Sequence, residues 1–294
     1  MRTIRCREIF AKTMLNKHKR RDPWFLDDYS VNPYRSCEFG CVYCYIRGGG
    51  YGGGAERGLA AKVNAPTILK GELSRRAGRM EYGFIALSSA TEPWMKLEQN
   101  YMLTRRCLEV IARYRFPVHC LTKSPLILRD LDLLREIDES ARLPQDLRGL
   151  KHGVIITFSL SSLDEDIARI FEPGCPKPEE RLEALQMVRE EGFFAGLAYI
   201  PVLPFISDSD DSLEEMVKAA KEHRADYVFV GELTLPGAVK KIYYKVLERN
   251  FPELLPRYEQ LFGAAGQPRM EYRRDLESRA RRICRRYGIR YRIM

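Results

Sequence analysis

The sequence predicts an α/β fold, a partial (β/α)6 TIM-type barrel open on one side, and three observations carry that expectation. Apolar strand patterns alternate with amphipathic helical patterns at a regular interval. The strand patterns end in polar residues. No linker-like stretch interrupts the alternation, and 294 residues with 45% apolar content suit one β/α barrel with a full core. The expected organisation is one domain over 1–294: an N-terminal extension (1–30), a barrel core (31–250) and a basic C-terminal extension (251–294).

The first strand leads into Asn32 and the cysteines that follow. Arg47-Gly-Gly-Gly-Tyr-Gly-Gly-Gly54 is too glycine-rich for regular structure. It reads as a flexible surface loop, with closure over a cofactor as the alternative. A helix is expected over 66–77, since proline is tolerated in a first turn. A buried strand follows over 82–88, an amphipathic helix over 97–114, a short strand over 117–122 and a helix over 128–140. The fourth strand covers 154–160. Ser162 and Glu165 then form an S-x-x-E capping box that opens a short helix. A helix over 179–191 is stopped by Gly192, and a strand covers 193–200. Ser212 and Glu215 make a second capping box before a helix ending near His223. A strand over 227–230 and a helix from about Gly237 complete six β–α repeats, whose interval implies parallel pairing and right-handed crossovers.

The chemistry concentrates in Asn32-Pro-Tyr-Arg-Ser-Cys-Glu-Phe-Gly-Cys-Val-Tyr-Cys-Tyr45. Cys37, Cys41 and Cys44 are spaced C-x3-C-x2-C, and no fourth cysteine follows at a comparable interval. Structural zinc and iron–sulfur clusters normally take four protein ligands. Three close thiolates would leave one iron of a cubane open to a ligand that is not protein. The alternatives are half of a zinc site, with Cys6 or His18 as a distant fourth ligand, or buried thiols without function. Cys6, Cys107, Cys120, Cys175 and Cys284 are scattered singly and assemble no second motif by spacing.

In a β/α barrel the site lies at the C-terminal strand ends. Those ends carry the cluster cysteines, then Ser88-Ser89-Ala90-Thr91-Glu92-Pro93, then Thr122-Lys123-Ser124. Ser159 and Ser161 follow, then Pro201-Val-Leu-Pro204, and finally Glu232 and Thr234. Together they outline a cofactor site, to which Tyr43 and Tyr45 beside the last cysteine also belong.

The cysteine run, with its aromatic residue before the last cysteine, resembles the signature of the radical S-adenosylmethionine (radical SAM) superfamily. Leu121-Thr-Lys-Ser124, Arg129-Asp-Leu-Asp-Leu-Leu134, Phe171-Glu-Pro-Gly174 and Arg181-Leu-Glu-Ala184 extend the likeness over roughly residues 30–235. They are similar to the spore photoproduct lyase-like branch, also called DNA repair photolyase-like. The resemblance implies a barrel of the radical SAM type. It also implies a [4Fe–4S] cluster on Cys37, Cys41 and Cys44, with S-adenosylmethionine (SAM) chelating the open iron. One electron, delivered by a donor protein, would cleave SAM to methionine and a 5′-deoxyadenosyl radical. SAM would be held by Ser89 and Thr91, by Lys123 and by Ser159. A lysine is a compact charge suited to the SAM carboxylate, against the alternative of an ordinary solvated side chain. Glu92 could accept from the SAM ammonium, while Glu172 and Arg181 read as a structural pair.

Two departures limit what the resemblance carries. Relatives tend to read Thr-Asp-Pro-Tyr-Gln-Pro after the second strand, whereas this chain reads Thr91-Glu-Pro-Trp-Met-Lys96. True spore photoproduct lyases place a hydrogen-donating cysteine in that loop, and this chain has no cysteine from 45 through 106. Lyase activity is therefore not expected. Of the remaining thiols, Cys120 reads as strand packing. Cys175 sits in a turn between two helices, expected to be more exposed and too far from SAM to quench a radical.

Net charge is +9. Arginines crowd the C-terminus from Arg269 to Arg292, and Lys12, Lys17, Lys19, Arg20 and Arg21 form a second group. Such patches suit phosphate neutralisation and a nucleic-acid substrate, or else form a solvated arginine-rich helix. A peptide or small metabolite is the alternative substrate, and a non-catalytic iron–sulfur or zinc protein the alternative of another class. No apolar leader occupies the first thirty residues and no run of eighteen apolar residues occurs. A cytoplasmic chain with no membrane contact is expected, its eight cysteines reduced. Oligomeric state is not legible in the sequence.

Overall fold

The structure, a computed structural model, describes residues 6–48, 58–87 and 89–294. The glycines from 49 to 54, and Ser88 at the second strand end, lie outside the described residues. The chain forms two compact units. The first holds Met1–Glu38, Gly58–Thr157 and Met187–Ala195; the second holds Phe39–Arg57, Phe158–Gln186 and Gly196–Met294.

In the first unit the strands are β1 (Arg7–Ile9), β2 (Leu15–Lys17), β3 (Asp27–Val31), β4 (Tyr34–Arg35), β5 (Ala60–Lys62), β6 (Phe84–Leu87), β7 (Val118–Thr122) and the start of β8 (Val154–Leu160). Its helices are α1 (Ala65–Gly78), α2 (Glu98–Tyr101), α3 (Leu103–Tyr114) and α4 (Leu131–Ser140). The sheet order is β8-β7-β6-β3-β2. Strands β3, β6 and β7 are parallel, with Val31 opposite Leu87 and Leu87 opposite Cys120. All four residues of β6 are buried, as continuous apolar runs in parallel sheets require. The extension strand β2 instead pairs antiparallel with β3. A small separate sheet, β1-β5-β4, ties the N-terminal segment to the residues before Cys37.

The 97–114 helix is in fact two. Met102 adopts a left-handed conformation (φ 53°), capping α2 through its N–H to Glu98 O and starting α3 in a new direction.

The second unit contains the end of β8, then α5 (Glu165–Phe171), most of α6 (Pro178–Glu190) and the greater part of β9 (Phe194–Val202). It continues with α7 (Asp210–Glu222), β10 (Tyr227–Glu232), α8 (Ala238–Asn250), α9 (Leu255–Phe262), α10 (Met270–Tyr287) and β11 (Arg290–Tyr291). The order is β11-β10-β9-β8, with β9, β10 and β11 parallel. A Cβ at Gly196 would lie 2.5 Å from the Tyr227 carbonyl oxygen, so only glycine permits this approach of β9 to β10.

Five strands, β6 to β10, are each followed by helix, as the alternation predicts, whereas β3 is followed by β4, a 3-10 turn and β5 before α1. Both capping boxes are displaced. Asp164, not Ser162, caps α5 by accepting from the amides of Asp166 and Ile167. Ser209, not Ser212, caps α7. Asp164 is nearer than Ser162 to the first exposed amides of α5, whereas α7 begins at Asp210, so Ser212 falls inside its first turn and gives its own amide to Ser209. Among the described residues no helix is long and apolar enough to cross a membrane.

Candidate functional site

Within the second unit, the segment carrying Cys41 and Cys44 is fastened to the end of α5. Val42 N–H donates to Phe171 O at 2.8 Å, and Gly174 N–H donates to Phe39 O at 2.9 Å. Gly40 has φ 65°, a conformation that glycine adopts without strain. Below this loop the expected Glu172–Arg181 pair is present at 2.6 Å, each side chain 1% exposed. Arg181 also donates to Ser159 O (3.0 Å) and twice to Pro176 O. The Tyr43 hydroxyl donates to the other oxygen of Glu172. Burial, followed by the nearby Glu172 charge, pushes the Tyr43 phenol up, so it stays a donor. The aromatic residue of the motif thus ends in a closed, buried polar cluster.

Cys44 is half-buried, and a 3-10 turn over Tyr45–Gly48 continues the loop, with Tyr45 exposed. Cys175 is not remote from the cysteine loop. Its sulfur lies 3.6 Å from Cys41 Sγ, a contact that its position between helices does not suggest. Sequence spacing gives no signal for a contact across 134 residues. At the end of β8, Ser159 Oγ donates to Ile200 O at 3.1 Å. Ser161 Oγ is buried and makes no hydrogen bond. Glu232 is paired with Arg273 of α10 at 2.6 Å.

In the first unit, Cys37 packs against a small core of Tyr34, Leu59, Ala61, Met95 and Leu103. Asn32, at the end of β3, reaches the loop after β6: its amide donates to Ser89 Oγ at 2.8 Å, and its carbonyl accepts from Ala90 N–H at 2.9 Å. Glu92 is buried. It accepts from Thr122 Oγ1 (2.6 Å), Lys123 N–H (2.9 Å) and Trp94 N–H (3.1 Å). Burial raises its pKa, opposed by those donors. Thr91 Oγ1 is buried with no hydrogen-bond partner.

The residues that brace this loop went unread in the sequence. Trp94 Nε1 donates to Asp130 Oδ2 at 2.8 Å. Asp130 is gripped by Arg105 and Arg129, and Arg129 also reaches Glu98, which takes the Tyr34 hydroxyl. Arg129 and Asp130 belong to a stretch noted only for its likeness to a family. Their structural task is to carry Trp94 and, through Glu98, the chain just before Cys37.

The arginine-rich terminus is largely paired internally. Arg279 and Arg282 meet Asp210, Arg286 meets Glu214, and Arg281 and Arg292 meet Glu277. These are partly exposed pairs of small individual worth. The pairs to Asp210 and Glu214 fasten α10 to α7, while Arg281, Arg282 and Arg286 stay about half exposed.

The donor chemistry fits an iron–sulfur cluster. Soft thiolates are its usual ligands; among the described residues no group of three or more His, Cys, Asp or Glu side chains is already gathered to hold a metal ion. Orphaned hydroxyls are costly unless something satisfies them. Thr91 and Ser161 therefore mark strand ends suited to a polar ligand.

The sequence model of the radical SAM superfamily matches residues 31–220. An uncharacterized protein of Mycobacterium tuberculosis is 29% identical over 290 residues, covering 96% of this chain and 81% of that protein. The radical SAM Nα-GlyT isomerase of Pseudomonas phage M6 is 22% identical over 249 residues, covering 83% and 47%. Among solved structures, spore photoproduct lyase with bound AdoMet and dinucleoside spore photoproduct superposes with a TM-score of 0.71 at 16% identity, covering 97% of this chain and 80% of that one. The fold is thus the one that lyase adopts. The family's cofactors are SAM and an iron–sulfur cluster, and its members are enzymes. The matched span covers well over half of the 294 residues, and the chain belongs to the radical SAM superfamily.

Proposed function

We propose that the protein is a radical SAM enzyme whose [4Fe–4S] cluster is held by Cys37, Cys41 and Cys44, with SAM completing the open iron. The observation that carries this reading is a set of three thiolates with no fourth at that spacing. When bound, the cluster supplies the electron that cleaves SAM into methionine and a 5′-deoxyadenosyl radical. The residues of the chain do the holding. Lys123 offers its ammonium to the SAM carboxylate, and Ser89, Thr91 and Ser159 offer hydroxyls. Thr91 has no competing partner. Glu92, solvated by neutral donors, attracts the SAM ammonium while fixing the backbone of Lys123. Tyr43 and Tyr45 flank the last thiolate, Tyr43 by anchoring the loop to Glu172.

The electron comes from a one-electron donor protein. The eight free thiols support a reducing, cytoplasmic setting. For the substrate we favour nucleic acid, by analogy with the lyase structure that carries a dinucleoside spore photoproduct. Lyase chemistry itself is not proposed, since the second-strand loop holds no cysteine to donate hydrogen. Incubation of reduced, reconstituted protein with SAM should yield 5′-deoxyadenosine, and replacing Lys123 by Ala should weaken SAM binding. Binding of single- and double-stranded oligonucleotides should weaken steeply with salt. No binding at low salt would hand the substrate to the peptide or small-metabolite class.

A further inference from the structure

Cys175 Sγ stands 3.6 Å from Cys41 Sγ, the distance of an S–H···S hydrogen bond. Both thiols are mounted on fixed backbone. The Cys41 loop and the α5 end share the Val42–Phe171 and Gly174–Phe39 hydrogen bonds, and Cys175 N–H donates to Glu172 O at 3.0 Å. The Glu172 side chain is itself locked to buried Arg181. The spacing of the two sulfurs is therefore built by the fold on both sides.

We propose that Cys175 is a positioning residue acting through Cys41: its S–H donates to the Cys41 thiolate and raises the reduction potential of the cluster ligated there. The inference rests on the reading of Cys41 as a cluster ligand. Valence assigns the donor. A ligating Cys41 has given up its proton and can only accept, so the proton between the two sulfurs belongs to Cys175. Cys175 does not serve as a fourth ligand in this arrangement, because thiolates on different irons of a cubane diverge while these sulfurs touch. Hydrogen bonds to cluster sulfurs are among the levers that set its potential. A donor stabilises the more negative, reduced state, and so makes the cluster easier to reduce.

The test is a redox titration of anaerobically reconstituted wild type, Cys175→Ala, Cys175→Val and Cys175→Ser, matched for iron content and followed by electron paramagnetic resonance. Melting curves of the cluster-free proteins show that each variant is folded, and Val provides a bulkier donor-free side chain should Ala perturb packing. The expected result is a more negative midpoint for Ala and Val. Ser, which keeps a donor, should return toward wild type. Coincident midpoints in all four proteins would overturn the proposal. A Cys175→Ala cluster lacking one iron would also overturn it, by making Cys175 a ligand. A wild type that takes up no iron would overturn the cluster reading first, and this inference with it.

Discussion

Glu92 in the first unit and Glu172 in the second are both buried carboxylates in loops that carry the site, at 7% and 3% exposure, and they are satisfied by different means. Glu172 has a full counter-charge, the equally buried Arg181, plus the Tyr43 hydroxyl. It is a closed pair whose product is the geometry of the cysteine loop. The hydrogen-bond donors of Glu92 are a hydroxyl and two backbone amides. Those donors are neutral, and the Lys123 charge acts on the carboxylate electrostatically. The carboxylate that has its own cation builds the frame, while the one hydrogen-bonded by neutral donors is the one proposed to meet the ligand.

Arg181→Met should have the largest effect, because it leaves Glu172 as an uncompensated buried charge. Losing one partner of such a pair costs about 3–5 kcal/mol, read as a lower urea midpoint. Adding Glu172→Gln should recover part of the loss, since removing both charges also removes the desolvation penalty. A single-variant loss under ~1 kcal/mol would mean that the pair is not closed.

Glu92→Gln probes the other half of the contrast. It should cost only about 1–2 kcal/mol of stability yet weaken SAM binding by roughly 10- to 100-fold, since a charge-assisted hydrogen bond is worth ~1.5–3 kcal/mol. Calorimetry showing unchanged SAM affinity would move Glu92 into the same structural class as Glu172.

His119 shows a third way to bury a titratable group, by keeping it neutral. Its ring sits between Phe25 O (2.7 Å) and Thr157 Oγ1 (2.6 Å), and burial lowers its pKa from 6.5 to about 4. The folded state therefore resists the proton that the unfolded chain accepts. Its contribution is present above pH 6.5 and is lost as pH falls toward about 4. At ~1.4 kcal/mol per pKa unit, the loss is on the order of 3 kcal/mol. Stability measured over that range should flatten in His119→Gln. An identical slope in wild type and variant would refute the neutral-histidine account.

Much of the fold was legible because six apolar runs alternate with six helical ones, and burial on both faces of a parallel strand leaves a strong trace in sequence. The cap positions were less so. Ser162–Glu165 and Ser212–Glu215 match a four-residue pattern, but Asp164 lies closer to the exposed amides of α5, and α7 starts early enough that Ser212 sits in its first turn and is capped by Ser209. The break at Met102 carries no proline or glycine to announce it. Met102→Gly should accordingly raise stability slightly, by about 1 kcal/mol, through relief of the left-handed backbone. A loss in melting temperature would show that the Met102 side chain matters more than its φ.

The candidate site divides in the same way. Three thiolates within eight residues are visible as spacing, and strand-end hydroxyls as polar residues after apolar runs. The supports arise from long-range packing: Asp130 under Trp94, Glu98 under Tyr34, Cys175 beside Cys41. No local pattern encodes those partners. The pairing of the arginine-rich terminus was not legible either, because the carboxylates of Asp210 and Glu214 that meet Arg282 and Arg286 lie some seventy residues upstream.

The central claim, that Cys37, Cys41 and Cys44 hold a site-open cluster at which SAM is cleaved, is tested most directly on anaerobically purified, reconstituted protein. Iron content and 5′-deoxyadenosine formation should be measured together, in wild type and in Cys41→Ala. The account predicts a brown protein with about four irons per chain, as a cubane requires, and 5′-deoxyadenosine on reduction with SAM. Cys41→Ala should lose that product. A colourless wild type carrying stoichiometric zinc and releasing no 5′-deoxyadenosine would contradict it.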